Sequence, residues 1–319
     1  MALGSSHDRR HPHAFGVALA AACAALFASG CGDDERPLEM SISQLSAEEE
    51  ENIEVATRVI EDGLIGGDVA VIDELVRPDY IQHNAQARDG REGLLEFAAA
   101  LGAQGGAAVK IHRKLADGDL VAFHSTYGEG DARMVAFDVF RLEGGRLAEH
   151  WDALQRWLEP EATVSGNTLV DGTESVSDRQ STEANRQLVT RMVREVFVEG
   201  RSERLADYIG SSYIQHNPRV DNGLASAQAF YAAVKAQGVP LAYTSSPLVV
   251  ADGNFVLVGS EGYLGRLMDE DPEVTAAMPR FAYTVFYDLF RVNGGKVVEH
   301  WDVIQRVDPD SVPHDNGLF

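Results

Sequence analysis

Asp138-Val139-Phe140-Arg141, then Gly144-Gly145-Arg146, then Glu149-His150-Trp151-Asp152: two alternating runs separated by a pair of glycines have the pattern of a β-hairpin. The text returns as Asp288-Leu289-Phe290-Arg291, Gly294-Gly295-Lys296 and Glu299-His300-Trp301-Asp302. Upstream, Tyr80-Ile81-Gln82-His83-Asn84 returns as Tyr213-Ile214-Gln215-His216-Asn217, and downstream Gln155-Arg156 answers Gln305-Arg306. Matches in one order at so long a spacing read as two copies of one domain, not a solenoid. The spacing is wider at Glu149/Glu299 than at Tyr80/Tyr213, so the second copy carries an insertion. Leu264 to Arg280, with the acidic run Asp269-Glu270-Asp271, is its expected place.

Outward from the hairpin, Ser46-Ala47-Glu48-Glu49 has capping-box spacing, which predicts a helix start. Ile53, Ala56, Val59, Ile60 and Leu64 then make one apolar face up to Gly66-Gly67. A second short helix is expected around Asp68 to Val76, a short strand at Tyr80 to Asn84, and a third helix over Gly93 to Ala103. Strands follow at about Ala107 to Leu115, Leu120 to Tyr127, Arg133 to Leu142 and Arg146 to Trp157. The second copy repeats the order, with a helix from Thr182, the short strand at Tyr213 to Asn217, a helix over Leu224 to Ala236 and four strands from Leu241 to Val307. Helices followed by an antiparallel meander make an α+β domain whose helices cover one face of a curved sheet.

The N-terminal residues read as an export signal: Arg9 and Arg10 precede an apolar run, Ala14 to Phe27, that is too short to span a bilayer and ends in small residues. Ala28-Ser29-Gly30-Cys31 resembles a lipobox, with Ala28 where leucine is usual; Cys31 would then be lipidated. The alternative is an ordinary cleaved signal. The only other cysteine, Cys23, lies in the apolar run, so no disulfide is expected in the mature chain. The expected layout is signal 1–31, tether 32–44, first domain 45–159, linker 160–180, second domain 181–309 and tail 310–319. A formal net charge of −23 argues against a nucleic-acid partner, because it repels phosphate.

Side chains alternate faces along a strand. Met134, Ala136, Asp138, Phe140 and Leu142 share one face, as do Thr284, Phe286, Asp288, Phe290 and Val292. A carboxylate among apolar neighbours is costly unless paired or protonated. It belongs either to a cavity with a working acid or to a structural hydrogen bond. On the last strand of each copy His150 pairs in parity with Asp152, and His300 with Asp302. If both faces look into one hollow, coupled acids and an imidazole would suit proton abstraction beside a carbonyl. His112 and His124 add candidates in the first copy only, where the second has Pro247 and Gly259; His83-Asn84 and His216-Asn217 complete the polar set. No local spacing supports a zinc site, and no phosphate loop, nucleophile elbow or dinucleotide fingerprint is visible.

With these motifs and this element order, each copy resembles the SnoaL-like polyketide cyclase branch of the nuclear transport factor 2-like superfamily. The resemblance implies two tandem cone-shaped, cystatin-like domains. It also implies that Asp138 and Asp288 sit where ketosteroid isomerases keep a protonated acid for the oxyanion, the isomerase acid being a known example of such tuning. Asp152 and Asp302 look like the cyclases' acid/base aspartate. His83, Asn84, His112, His124, His150 and Phe140, with His216, Asn217, His300 and Phe290, would line the cones. The isomerases' general base and tyrosine have no equivalent, which argues against steroid isomerisation. The expected function is binding of a small apolar carbonyl compound, with cofactor-independent enolisation or aldol-type cyclisation in the first copy. Asp152 would move the proton, Asp138 would stabilise the oxyanion and His150 would orient Asp152. The alternative is a non-catalytic binding or assembly module at the bacterial cell envelope. No cofactor or metal is expected, and the two copies are expected to pair as a pseudo-dimer.

Overall fold

The computed structural model describes residues 44–103, 108–236, 241–265 and 281–319. The signal with Cys31, the tether and all but the first residues of the Leu264 to Arg280 insertion lie outside them.

Helix α1, Ala47–Arg58, opens on the expected capping box: Ser46 Oγ accepts from Glu49 N at 3.2 Å and Ser46 N donates to Glu49 Oε2 at 2.8 Å. It widens into a π turn, Val59–Ile65. Then come α2 Val69–Leu75, β1 Val76–Gln82, α3 Gly90–Ala103, β2 Val109–Asp117, β3 Leu120–Tyr127, β4 Met134–Leu142 and β5 Leu147–Arg156. The second half runs α4 Thr182–Met192 with a π turn Val193–Val198, α5 Leu205–Tyr208, β6 Ile209–Gln215, α6 Leu224–Ala236, β7 Leu241–Asp252, β8 Phe255–Gly265, β9 Phe281–Asn293 and β10 Lys296–Arg306.

Each half holds a five-stranded sheet, ordered β1-β5-β4-β3-β2 and β6-β10-β9-β8-β7. The last four strands of each are the expected antiparallel meander, while β1 and β6 join in parallel against β5 and β10. The short strand starts earlier than expected, at Val76, and runs through Pro78. An edge strand tolerates a residue without an N–H, and the register shifts between Val76 and Ile81, across the proline. At the β4–β5 turn Gly144 and Gly145 have φ of 59° and 72°, and Gly294 and Gly295 have 58° and 71°. A tight hairpin matching strand twist needs both central residues at positive φ, hence the paired glycines.

The helices of each half pack on one face of its own sheet. The opposite faces meet in one shared core, with Val135, Phe137, Val139, Trp151 and Ala153 against Val285, Tyr287, Leu289, Trp301 and Val303. The polar contacts across it are reciprocal. Leu154 N donates to Gln305 Oε1 at 2.8 Å and Ile304 N to Gln155 Oε1 at 2.9 Å. Ala251 N donates to Asp117 Oδ2 at 3.0 Å and Ala116 N to Asp252 Oδ2 at 3.3 Å. Such exchange of identical contacts characterises twofold pairing.

The segments expected to be a linker and a tail are laid onto this body. Leu169 and Leu318 both reach the shared core, apolar burial that a solvated tether would forgo. The stretch after β5 runs beside β6, where Asn167 Nδ2 donates to Gln215 O at 3.0 Å. The stretch after β10 runs beside β1, where Asn316 Nδ2 donates to Gln82 O at 3.0 Å. Each half therefore sends its trailing segment to the other.

Candidate functional site

Antiparallel pairing of β4 with β5 sets Asp138 opposite Asp152 and Phe140 opposite His150. All four face the helices and line a cavity of about 390 Å³ with Tyr80, Gln82 and Asn84 from β1 and the residues after it. Gln82 Oε1 accepts from the backbone N–H groups of His83 at 3.0 Å and Asn84 at 2.9 Å. Two donors fix that atom as the oxygen, so His150 Nδ1, 2.9 Å from it, carries a proton. The buried Nε2 has no hydrogen-bond partner and points at Asp138 Oδ1, 3.5 Å away. Asp138 Oδ2 accepts from Tyr127 Oη at 2.9 Å.

Asp152 is oriented differently from the sequence expectation. Asn84, not His150, holds it: Asn84 Nδ2 donates to Asp152 Oδ2 at 2.5 Å, and the amide is fixed by Gln86 N donating to Asn84 Oδ1 at 2.7 Å. The side chain is half-buried at the pocket wall. Burial, reinforced by the neighbouring Asp138 charge and opposed by His150 and Asn84, pushes its carboxyl up to about 6.

Four histidines expected in the cones lie elsewhere. Alternation along β1 turns Tyr80, Gln82 and Asn84 inward and His83 outward, where it bonds Glu149 Oε1 at 3.0 Å and stacks on Trp151 at 5.1 Å. His216 does the same with Glu299 at 3.1 Å and Trp301 at 4.7 Å. His112 and His124 occupy the back of the sheet. His124 stacks on Phe137 at 4.2 Å and accepts from Arg113 Nη1 at 3.0 Å; burial and that guanidinium hold it well below the usual imidazole range. Burial likewise lowers His112 to about 4, and its Nε2 meets Thr126 Oγ1 at 3.2 Å. Arg113 itself lies 4.1 Å over the Trp301 ring and donates to the Val170, Asp171 and Thr173 carbonyls. These groups build the join between the halves.

The second half repeats the network. His300 Nδ1 meets Gln215 Oε1 at 3.0 Å, its Nε2 meets Asp288 Oδ1 at 2.9 Å, and Asn217 Nδ2 donates to Asp302 Oδ2 at 2.6 Å. Burial raises Asp302 as well. The hydroxyl on the first acid comes from a different strand. Gly262 on β8 stands where β3 has Tyr127, and a Cβ there would lie 1.9 Å from Ala242 O. Tyr243 of β7 donates to Asp288 Oδ2 instead, at 3.1 Å. Space is the main difference. Tyr231 and Phe286 stand where the first half has Ala98 and Ala136, Phe286 stacks on Tyr243 at 4.2 Å, and the cavity shrinks to about 60 Å³.

Gln82, Gln215, Tyr127 and Tyr243 were not singled out by sequence reasoning. Parity on the short strand carried the signal for the glutamines, since Gln82 shares a face with Tyr80 and Asn84. In each half the imidazole and two carboxylates bring donor atoms within 4.8 Å of one another, a set able to hold a divalent cation.

Residues 56–150, within the α+β fold of the first half, match the model of the SnoaL-like domain family. Among solved structures, IdmH from Streptomyces antibioticus, described as a candidate polyketide cyclase, is 22% identical over 33% of this chain and 91% of its own, with a TM-score of 0.30. A candidate SnoaL-like polyketide cyclase from Jannaschia sp. CCS1 is 22% identical over 35% of this chain and 90% of its own, TM-score 0.32. An LEH-like epoxide hydrolase of M. tuberculosis is 24% identical over 34% and 85%, TM-score 0.29. No curated protein matches the chain.

Proposed function

We propose that the chain is an exported protein of two tandem SnoaL-like domains, 45–159 and 181–309, paired as a pseudo-dimer, whose first domain binds a small apolar carbonyl compound and catalyses its enolisation. The observation that carries this reading is the cavity of about 390 Å³ into which Asp152, raised to about 6, faces Asp138 across the strand pair. In the step, the Asp152 carboxylate takes a proton from the carbon next to the carbonyl, and the C–H electron pair forms the enolate double bond. A proton carried by Asp138, whose carboxyl is held by the Tyr127 hydroxyl donating to Oδ2, stabilises the oxygen. Returning the proton elsewhere isomerises the compound. Attack of the enolate carbon on a second carbonyl closes a ring, and the new alkoxide takes back the proton that Asp152 removed.

The test needs no native substrate. Deuterium wash-in from D2O beside the carbonyl of a small bicyclic ketone is expected with the wild-type chain, and Asp152→Asn should cut it about 100-fold or more with probe binding retained. Equal wash-in for both proteins would remove Asp152 from this role.

A second reading, a non-catalytic binding module at the cell envelope, draws support from the second half, where the same network surrounds a cavity of about 60 Å³. Export and lipid anchoring through Cys31 rest on the Ala14 to Cys31 segment. Among the described residues no helix is long and apolar enough to cross a membrane. Globomycin-sensitive processing and loss of membrane association in Cys31→Ser are the expected results for an anchored chain.

A further inference from the structure

The segment that follows the second sheet ends on the first site. His314 Nε2 lies 3.0 Å from Asn84 O, Asn316 Nδ2 donates to Gln82 O at 3.0 Å and to Asp89 Oδ1 at 2.7 Å, and His83 Nδ1 lies 3.0 Å from Gly317 O. Leu318 enters the shared core and Phe319 stacks on Tyr287 at 5.9 Å, which pins the segment from the other side. The three residues it grips are consecutive. The first, Gln82, sets the protonated nitrogen of His150, and the third, Asn84, holds Asp152. Asp89, gripped as well, accepts from Gln82 N at 3.0 Å. β1 ends at Gln82, in register with His150, and one further backbone bond, His83 N to His150 O at 2.9 Å, follows it.

The stretch after the first sheet makes the same grip on the second site. Asn167 Nδ2 and Ser165 Oγ donate to Gln215 O at 3.0 and 3.2 Å, and His216 Nδ1 lies 2.8 Å from Thr168 O. Leu169 takes the place of Leu318 in the core. One construction is thus used twice, each time by the opposite half, which marks it as part of the site rather than an incidental contact.

We propose that residues 314–319 position the first site from the second half, holding Gln82 and Asn84 so that His150 keeps one tautomer and Asp152 one orientation. The role of the site in proton transfer rests on the function proposed above; the positioning itself does not, and its test reads the site without turnover. Histidine 15N and aspartate carboxyl 13C NMR are compared in the full chain, in His314→Ala/Asn316→Ala, and in a chain stopped after Pro313. The full chain is expected to show His150 as the Nδ1–H tautomer alone. Both variants should show mixed His150 tautomers and an Asp152 titration midpoint displaced by at least about half a pH unit, with His300 and Asp302 unchanged. Adding the peptide 314–319 to the shortened chain should restore both signals. Asn167→Ala should reverse the pattern, disturbing His300 and Asp302 and sparing His150. If the shortened chain does not fold, the double substitution decides alone. An unaltered His150 tautomer and Asp152 midpoint in either folded variant would overturn the proposal. Altered signals with unchanged deuterium wash-in would instead sink the enolisation reading and leave the positioning role intact.

Discussion

Asp152 and Gln82 carry opposite kinds of consequence. The folded Asp152 carboxyl keeps its proton up to about 6, against 3.8 for the ordinary group. Between those values the folded state binds more protons than the unfolded one, so each rise in pH across that window weakens the fold. Asp152→Asn removes this penalty. Its melting temperature relative to wild type should therefore climb from pH 4 to 6 and stay level above; a constant difference across the range would show that the carboxyl is not raised. Gln82 is a different case because its oxygen serves two backbone donors and His150. Gln82→Met strands buried donors, each costing about 1–3 kcal/mol, and urea unfolding should show a loss of at least about 2 kcal/mol. The acids were legible from strand parity. The error over His83 and His216 came from weighing residue type above parity, since alternation on that same strand put Gln82 and Asn84 inward.

At the level of strands and helices, the hairpins, the capping box and the meander were legible because each depends on local chemistry: alternation, paired glycines, a serine and a glutamate three residues apart. The parallel attachment of β1 was not, since pairing partners far apart in the chain leave no local mark. Nor was the role of His112 and His124, which face the companion sheet, legible without the pairing of the two sheets. The unequal cavities have a direct test. Tyr231→Ala with Phe286→Ala should enlarge the second cavity toward the first, at about 3–5 kcal/mol for each large-to-small change. Titration with a small aromatic probe should then rise from one bound molecule per chain to two. Unchanged stoichiometry in a folded variant would mean that these rings are not what closes the second cone.

Across the whole molecule, the halves share one core and are expected to unfold as a single cooperative unit. Trp301 is fully buried there, with its Nε1 donating to Asp171 O at 2.8 Å. Trp301→Ala should cost about 3–5 kcal/mol. Hydrogen exchange should quicken in β4 and β5 of the first half as much as in β9 and β10. Protection retained in β4 and β5 would show that the halves open independently. Two sheets of like strand order were legible from repeated motifs, but the exchange of trailing segments was not, because Asn167-Thr168-Leu169 and Asn316-Gly317-Leu318 share too little text to announce a common role.

That exchange has a consequence during synthesis. The ribosome makes the roomy cone first and the residues that brace its rim much later, after the entire companion sheet. Until His314 and Asn316 emerge and settle, the nascent protein carries a nearly formed hollow with its acid and imidazole unaligned, and maturation of the first site waits on translation of the second.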